Sequence, residues 1–341
     1  MNAFVDAKLA VVVPNWNGKA DLPACLNSLL KQTQDCEIVV VENGSTDGSL
    51  ELLAESFPTV TVLPQPVNLG FAGGVNAGIR YAIQKGYDYV ALFNNDAIAD
   101  ADWLRNLWQG MADESTGITT CTLASADGQH LDSTGEEYSV WGLPYPRGRG
   151  EAIKGQYDGQ PAIFAASGGA SLYRVAMLNE IGLFDEDFFA YYEDVDISFR
   201  TQLAGWKVRY VPAAIAYHDA GTTSSKIKGF VTYQTMKNLP VLLMKNVPRK
   251  YLFRIGWRFF LAHTLFFLRA VSRGQGWTAL KGDAVGTRLL FKNLPVRRAI
   301  QKSRKVPDEY IWGMLVHDLP PNATSLRSLR NRWQRLIFWH R

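Results

Sequence analysis

The sequence predicts an α/β fold: a doubly wound, mostly parallel sheet flanked by helices, with a C-terminal basic and apolar helical extension. Three observations carry this expectation. Short apolar runs at 9–13, 36–41, 60–63 and 89–93 alternate with segments of helical spacing, the rhythm of βαβ units. The run at 89–93 holds five apolar residues in succession, which suits a strand covered on both faces. Finally, charge divides the chain. Residues 1–225 carry 13 Lys and Arg against 28 Asp and Glu, whereas 226–341 carry 23 against 4.

Taken in order, the first strand (9–13) closes at Pro14, and a helix over 21–30 follows, with Asp21 as N-cap and Pro23 in its first turn. The run at 36–41 ends in the turn cluster ENGSTDGS, which opens a helix at 49–56. A third run at 60–63, a helix rich in small residues at 71–85 and the strand at 89–93 complete the regular part, before a helical stretch at 100–109. A strand at 117–123 precedes an irregular excursion over 126–160, rich in Gly, Pro and charge. Residues 163–174 return to apolar and small side chains. A helix over 193–203 and a strand over 207–211 before Pro212 follow, and long apolar and basic helices run from 227 to about 298. The expected division is a catalytic-type domain, 1–225, and a helical region, 226–341.

A chain of 341 residues with 47% hydrophobic content is globular material, sufficient for one large domain with an appendage or for two domains. Cys25, Cys36 and Cys121 are too unevenly spaced for a zinc site and leave one thiol over in any disulfide scheme, which fits a reducing cytoplasm. The apolar run at 9–13 is too short for a secretory signal and reads as a strand. The basic, Trp- and Phe-rich C-terminal third fits a nucleic acid, an anionic membrane surface or a solvated helical face; its apolar content weighs against the last.

Several residues stand out as carriers of chemistry. Asp96 closes the run YVALFNND at the carboxyl end of a strand, where α/β sheets bind ligands; it reads as a metal or substrate ligand or as a cap for the helix at 100–109. The turn Pro14-Asn15-Trp16-Asn17-Gly18 lacks the glycine pattern of a dinucleotide site. Glu42 is positioned for a base or ribose, or for bracing its own turn with Ser45 and Thr46. Four glycines between Asn68 and Gly78 weaken a helix start by on the order of 1 kcal/mol per helical Gly, which fits close backbone approach by a diphosphate or tight packing on the sheet. Glu193, Asp194 and Asp196 follow an aromatic run; the helix macrodipole favours acids there, and partial desolvation would suit one of them to accept a proton. His218 adds an imidazole near a strand end.

Seven segments, in this order, resemble the inverting glycosyltransferases of family 2, most closely their bacterial rhamnosyltransferase branch. They are VVVPNWNG (11–18), VVVENGSTDGS (39–49), NLGFAGGVNAG (68–78), LFNND (92–96), SGGASLYR (167–174), GLFDEDFFAYYEDVDISFR (182–200) and GWKVRYVPAAIAYHDAGTTS (205–224), running over about two thirds of the chain.

The resemblance implies the nucleotide-sugar-binding GT-A fold and a role for each matching position. Pro14, Asn15, Trp16, Glu42 and Asn43 would hold the nucleoside, and Asn68, Gly70, Phe71, Asn76, Asn94 and Asn95 would line the nucleotide-sugar pocket. Asp96, last position of the family's D-x-D element, and His218 would bind Mg²⁺ or Mn²⁺ on the diphosphate. Asp194 would be the catalytic base with Glu193 beside it, and Ser167, Gly168, Gly169 and Asp196 would lie near the acceptor. Asn94 and Asn95 replace acids of the usual D-x-D element, and Glu42 stands where Asp is more usual. The implied partners are a nucleoside-diphosphate sugar (dTDP-rhamnose ahead of UDP-sugars), a lipid-linked or polysaccharide acceptor and an anionic membrane, with no nucleic acid. The apolar stretch 247–271 is interrupted by Arg254, Arg258 and Arg269, so the expectation is a helix lying in the interface of the inner membrane face, not one spanning it. The rival functions are a nucleotidyltransferase, which should carry a basic glycine-rich loop after the first strand, and a non-catalytic adaptor.

Overall fold

The computed structural model describes residues 7–218, 227–321 and 323. The division at 225/226, the end of the last motif (219–224) and the tail from 324 lie outside the described residues. The chain runs β1 (Leu9–Asn15), α1 (Leu22–Leu29), β2 (Glu37–Glu42), α2 (Ser49–Ser56), β3 (Thr61–Pro64), α3 (Gly70–Gln84), β4 (Tyr89–Phe93), β5 (Ala97–Ala99), α4 (Trp103–Gln109) and β6 (Thr116–Ser125). The excursion holds β7 (Leu131–Ser133) and a hairpin of β8 (Glu136–Tyr138) and β9 (Pro144–Pro146). Then come β10 (Ala170–Arg174), α5 (Val175–Ile181), a 3₁₀ turn (Glu186–Phe188), α6 (Glu193–Leu203) and β11 (Lys207–His218). The extension is α7 (Phe230–Asn246), α8 (Arg249–Ser272), α9 (Gly276–Lys292), α10 (Leu294–Ser303) and α11 (Asp308–Met314).

One sheet has the order β3-β2-β1-β4-β10-β6-β11-β5, with β7 added on β6. Its first half is parallel, as the βαβ rhythm predicts, because α1, α2 and α3 return the chain to the same end of the sheet. Strand β10 then enters antiparallel between β4 and β6. Along β1, Val11 and Val13 face a core with Leu22, Leu26, Leu53 and Trp103, while Val12 faces the opposite core with Val75, Ile79 and Ile197, so both sheet faces are covered. Contact between α3 and the sheet is close: a Cβ at Gly78 would lie 2.4 Å from Val12 Cγ1.

Two local expectations change. Strand β11 does not stop at Pro212: it continues to His218 through a register shift between Val211 and Ile215, which absorbs a proline that cannot donate to the ladder. Asp96 caps no helix, because β5 intervenes and Asp102 occupies the N-cap of α4.

The helical extension shares a third core with the sheet region. Tyr138, Phe164, Val195 and Phe199 pack with Leu239, Leu242, Leu243, Tyr251, Ile255 and Phe259. Helix α8 buries Tyr251, Ile255 and Phe259 and turns Phe253, Trp257 and Phe260 outward. Among the described residues no helix is long and apolar enough to cross a membrane.

Candidate active site

The antiparallel entry of β10 builds the centre of the site. An antiparallel neighbour begins where a parallel strand ends, so Ala170 pairs with Phe93 and Gly169 abuts Asn94. The Asn94 N–H donates to the Gly169 carbonyl at 2.8 Å. One residue earlier, the Gly168 N–H donates to Asp194 Oδ2 at 2.9 Å. Two residues, Gly168 and Gly169, thus bridge the end of β4 to the start of α6.

A second antiparallel pairing brings in His218. Its register partner on β5 is Ala97, which seats the imidazole beside Asp96 across 122 residues of sequence. His218 Nε2 lies 3.1 Å from Asp96 Oδ1, and its Nδ1 lies 3.0 Å from Asp132 Oδ2 on β7. Burial alone would push the imidazolium's pKa down, but the hydrogen bonds and charges of Asp132 and Asp96 prevail and raise it to about 9. Arg149 completes the arrangement, with its Nη2 3.0 Å from Asp132 Oδ1. Among the described residues no three His, Cys, Asp or Glu side chains converge on one point. One carboxylate and one imidazole, once the ring has released its proton, still fit a cation that takes its remaining ligands from diphosphate oxygens and water. Asp132 stands where an outer-shell carboxylate orients a ligating histidine.

Asp194, the second residue of α6, accepts from Gly168 through Oδ2 and from Val195 N–H through Oδ1, at 2.8 Å. Burial pushes its carboxyl above the ordinary value, opposed by these backbone bonds. Glu193 is raised further, by burial and by the charge of Asp194, and its Oε2 is buried with no hydrogen-bond partner among the described residues. Glu136 on β8 is also raised by burial and by Asp194. Asp194 thus lies beside two further carboxyls, Glu193 and Glu136, whose ionised forms burial and the charge of Asp194 disfavour. A Cβ at Gly168 would lie 3.2 Å from Asp194 Cβ and 3.4 Å from the Phe71 ring, so Phe71 borders Asp194.

On the other side of the β4 end, the first turn is knitted by amides. Asn95 Nδ2 donates to Asn15 Oδ1 at 2.7 Å, and Asn43 receives Leu69 N–H at 2.9 Å while donating to Asn68 Oδ1 at 3.2 Å and to the Gly70 carbonyl at 3.0 Å. Glu42 accepts from Ser45, through N–H and hydroxyl, and from Asn15 Nδ2. It braces its own turn. Pro14 and Trp16 flank buried Asn15 and are half-buried. The Gly-rich segment serves packing: Gly70 has φ +72°, and a Cβ there would lie 2.4 Å from the Phe189 carbonyl oxygen.

Residues 10–182, half of the chain, match the model of glycosyl transferase family 2. The chain belongs to that family. It is 28% identical over 237 residues to an N-acetylglucosaminyl-diphospho-decaprenol L-rhamnosyltransferase of Mycobacterium tuberculosis, covering 63% of this chain and 77% of the relative. It is 26% identical over 253 residues to the dTDP-rhamnosyl transferase RfbF of Shigella flexneri, covering 71% and 82%. Its fold resembles that of the mannosyltransferase PcManGT from Pyrobaculum calidifontis, solved with GDP-Man and Mn²⁺, with a TM-score of 0.53 at 16% identity, covering 91% of this chain and 87% of that one. The architecture is the GT-A fold.

In this family 2 glycosyltransferase two expected site residues are committed elsewhere. Asp196 is fully buried and bonds to Arg200 Nε (2.9 Å), Lys245 Nζ (3.0 Å) and Asn246 Nδ2 (2.8 Å), so it ties α6 to α7 and does not face an acceptor. Asn76, 2% exposed, exchanges hydrogen bonds with the Phe184 backbone and donates to Glu186, so its amide holds the 184–186 segment against α3 instead of lining a pocket. Conversely, Asp132, Glu136 and Arg149 lie in the excursion read only as irregular, and buried Lys237 and Asn238 lie on α7. The polar positions 234, 237, 238, 245 and 246, at helical spacing within an apolar segment, were the available signal for α7.

Proposed function

We propose that this glycosyltransferase is an inverting enzyme that moves a sugar, rhamnose in the first place, from a nucleoside-diphosphate donor to a hydroxyl of a lipid-linked or cell-envelope polysaccharide acceptor. The donor is dTDP-rhamnose ahead of UDP-sugars. The observation that carries this reading is the Gly168 bridge, which holds a single partly desolvated carboxylate, Asp194, against the β4 end bearing Asp96. The names of both rhamnosyltransferase relatives support the sugar, and the decaprenol in one supports a lipid-linked acceptor.

In this scheme Asp194 takes the proton of the acceptor hydroxyl while that oxygen attacks the anomeric carbon from the face opposite the diphosphate. The new C–O bond forms as the bond to diphosphate breaks, so configuration inverts, and base assistance contributes ~10²- to 10⁴-fold. Burial disfavours the ionised forms of Glu193 and Glu136 beside Asp194. Asp96 and His218 would hold Mg²⁺ or Mn²⁺, which would supply positive charge against the departing diphosphate. Asn15, Glu42 and Asn43 shape the nucleoside turn.

The outward face of α8, with Phe253 84% and Phe260 69% exposed, is flanked by Arg254 and Arg258, and α9 adds Trp277 and Phe291. Apolar rings ringed by cations fit an anionic lipid surface, to which each nearby cation adds ~1 kcal/mol. The enzyme would thus work on the cytoplasmic face of the membrane, where a lipid-linked acceptor is presented. Thermal shifts with dTDP-rhamnose, UDP-sugars and GDP-mannose, each with Mg²⁺, test the donor. Stabilisation by none of them would overturn the assignment.

A further inference from the structure

Before Asp194 the backbone is strained. Phe189, Tyr191 and Tyr192 have φ of 62°, 69° and 73°, the left-handed region that non-glycine residues avoid. Such a segment persists only where its surroundings over-determine it. Here the surroundings are two buried polar side chains of α7. Asn238 Nδ2 lies 3.0, 2.9 and 2.9 Å from the carbonyl oxygens of Phe188, Ala190 and Tyr191, and Lys237 Nζ donates to those of Asp187 and Phe188 at 3.0 and 3.1 Å. Tyr192 is the N-cap of α6, so this loop sets where α6 begins and where its second residue, Asp194, is aimed.

We propose that Lys237 and Asn238 are positioning residues for the transfer step: from the helical extension they clamp the 187–192 loop and so hold Asp194 in register with the Gly168 bridge. This rests on the reading of Asp194 as base. The clamp has its own support, because α9 presses on α7 at the same residue. A Cβ at Gly286 would lie 2.6 Å from the Lys237 carbonyl oxygen, and one at Gly282 would lie 2.6 Å from that of Tyr233. The extension is therefore part of the catalytic apparatus.

The test is Asn238→Ala and Lys237→Met in the full chain. Turnover is followed with dTDP-rhamnose and a short-chain polyprenyl-diphospho-sugar, dTDP affinity by calorimetry with Mn²⁺, and folding by circular dichroism. The expected result is a loss of kcat of about 10- to 100-fold, as for a displaced catalytic group, with dTDP affinity within about twofold. Lys237→Arg, which keeps the donors, should recover most of the rate, and adding Asn238→Ala to Asp194→Asn should cost nothing further. Wild-type kcat in the folded variants, an equal loss of dTDP affinity, or full additivity with Asp194→Asn would overturn the proposal. Should both variants unfold, Gly286→Ala, which pushes on the Lys237 carbonyl, must lower kcat with dTDP affinity retained; unchanged kcat overturns it. Wild-type turnover by Asp194→Asn would remove the base assignment itself. An inactive Asp194→Asn beside a fully active Asn238→Ala removes only the clamp.

Discussion

The Gly168 N–H and the Asp194 carboxylate, 26 residues apart, meet at 2.9 Å and join the end of the sheet's fourth strand to the start of α6. Space at Gly168 is tight, with Asp194 Cβ and the Phe71 ring both near its missing side chain. An orienting backbone donor beside partial burial suits a carboxylate that must accept a proton only when substrate is in place.

Asp194→Asn should lower kcat by ~10²- to 10⁴-fold while dTDP or UDP binding persists. Burial raises this carboxyl, and the base acts deprotonated, so wild-type kcat/KM should rise with pH along an acid limb lying above the ordinary carboxylate value of 3.8. A pH–rate profile whose acid limb survives in the Asn variant would reassign the proton acceptor.

Asp132 holds His218 by Nδ1, leaving Nε2 towards Asp96. Asp132→Ala should weaken Mn²⁺ binding in the presence of nucleoside diphosphate by roughly 10- to 100-fold, the usual cost of losing an outer-shell partner. Electron paramagnetic resonance of free Mn²⁺ reads this directly. Undiminished affinity would detach Asp132 from the metal site.

Asp196→Ala should destabilise the fold by about 3–5 kcal/mol, because Lys245 and Arg200 would be left buried around a missing charge. Denaturant titration measures it. A change under 1 kcal/mol would mean that the two cations find other partners.

Glu193 has a folded-state pKa raised above its ordinary 4.5 by burial and by Asp194. Its contribution to stability is therefore full below that value and lost as pH rises towards the folded-state value, where the unfolded chain has already released the proton. A glutamine stays neutral throughout. The melting temperature of Glu193→Gln relative to wild type should increase between pH 4.5 and 7.5; a constant difference contradicts the buried neutral acid.

Phe253→Asp with Phe260→Asp should reduce partition onto phosphatidylglycerol vesicles at low salt by roughly tenfold or more, with dTDP binding unchanged, since each burial of a Phe ring is worth ~1.5–3 kcal/mol. Vesicle flotation tests this. If wild type ignores the vesicles and self-associates through this face, the face binds a second copy and not lipid.

The alternation of apolar runs and helical segments was enough for the doubly wound sheet, because strand and helix periodicity are written locally. The ordered motifs were enough for the family. The amide-rich rim, Asp96 and the Glu193–Asp194 pair were legible for the same reason: each sits at the end of an element whose extent the sequence marks. Even the charge asymmetry marked the extension before its helices were placed.

Tertiary structure decided which of these residues meet. Antiparallel β10 and the β5–β11 pairing bring Gly168 to Asp194 and His218 to Asp96, and no local pattern encodes a strand's partner. Asp132 lies 86 residues from His218, and Asn238 lies 50 from Phe188. Their roles exist only as hydrogen bonds closed across the fold. Asp196 shows the converse: two residues after Asp194, it points inward to Lys245, because positions two apart on a helix face different directions. The sequence by itself determined the elements, the family and the chemical types available. Packing determined which carboxylate meets Gly168, which is buried as a brace, and that a helix from residue 230 bonds to the loop before Asp194.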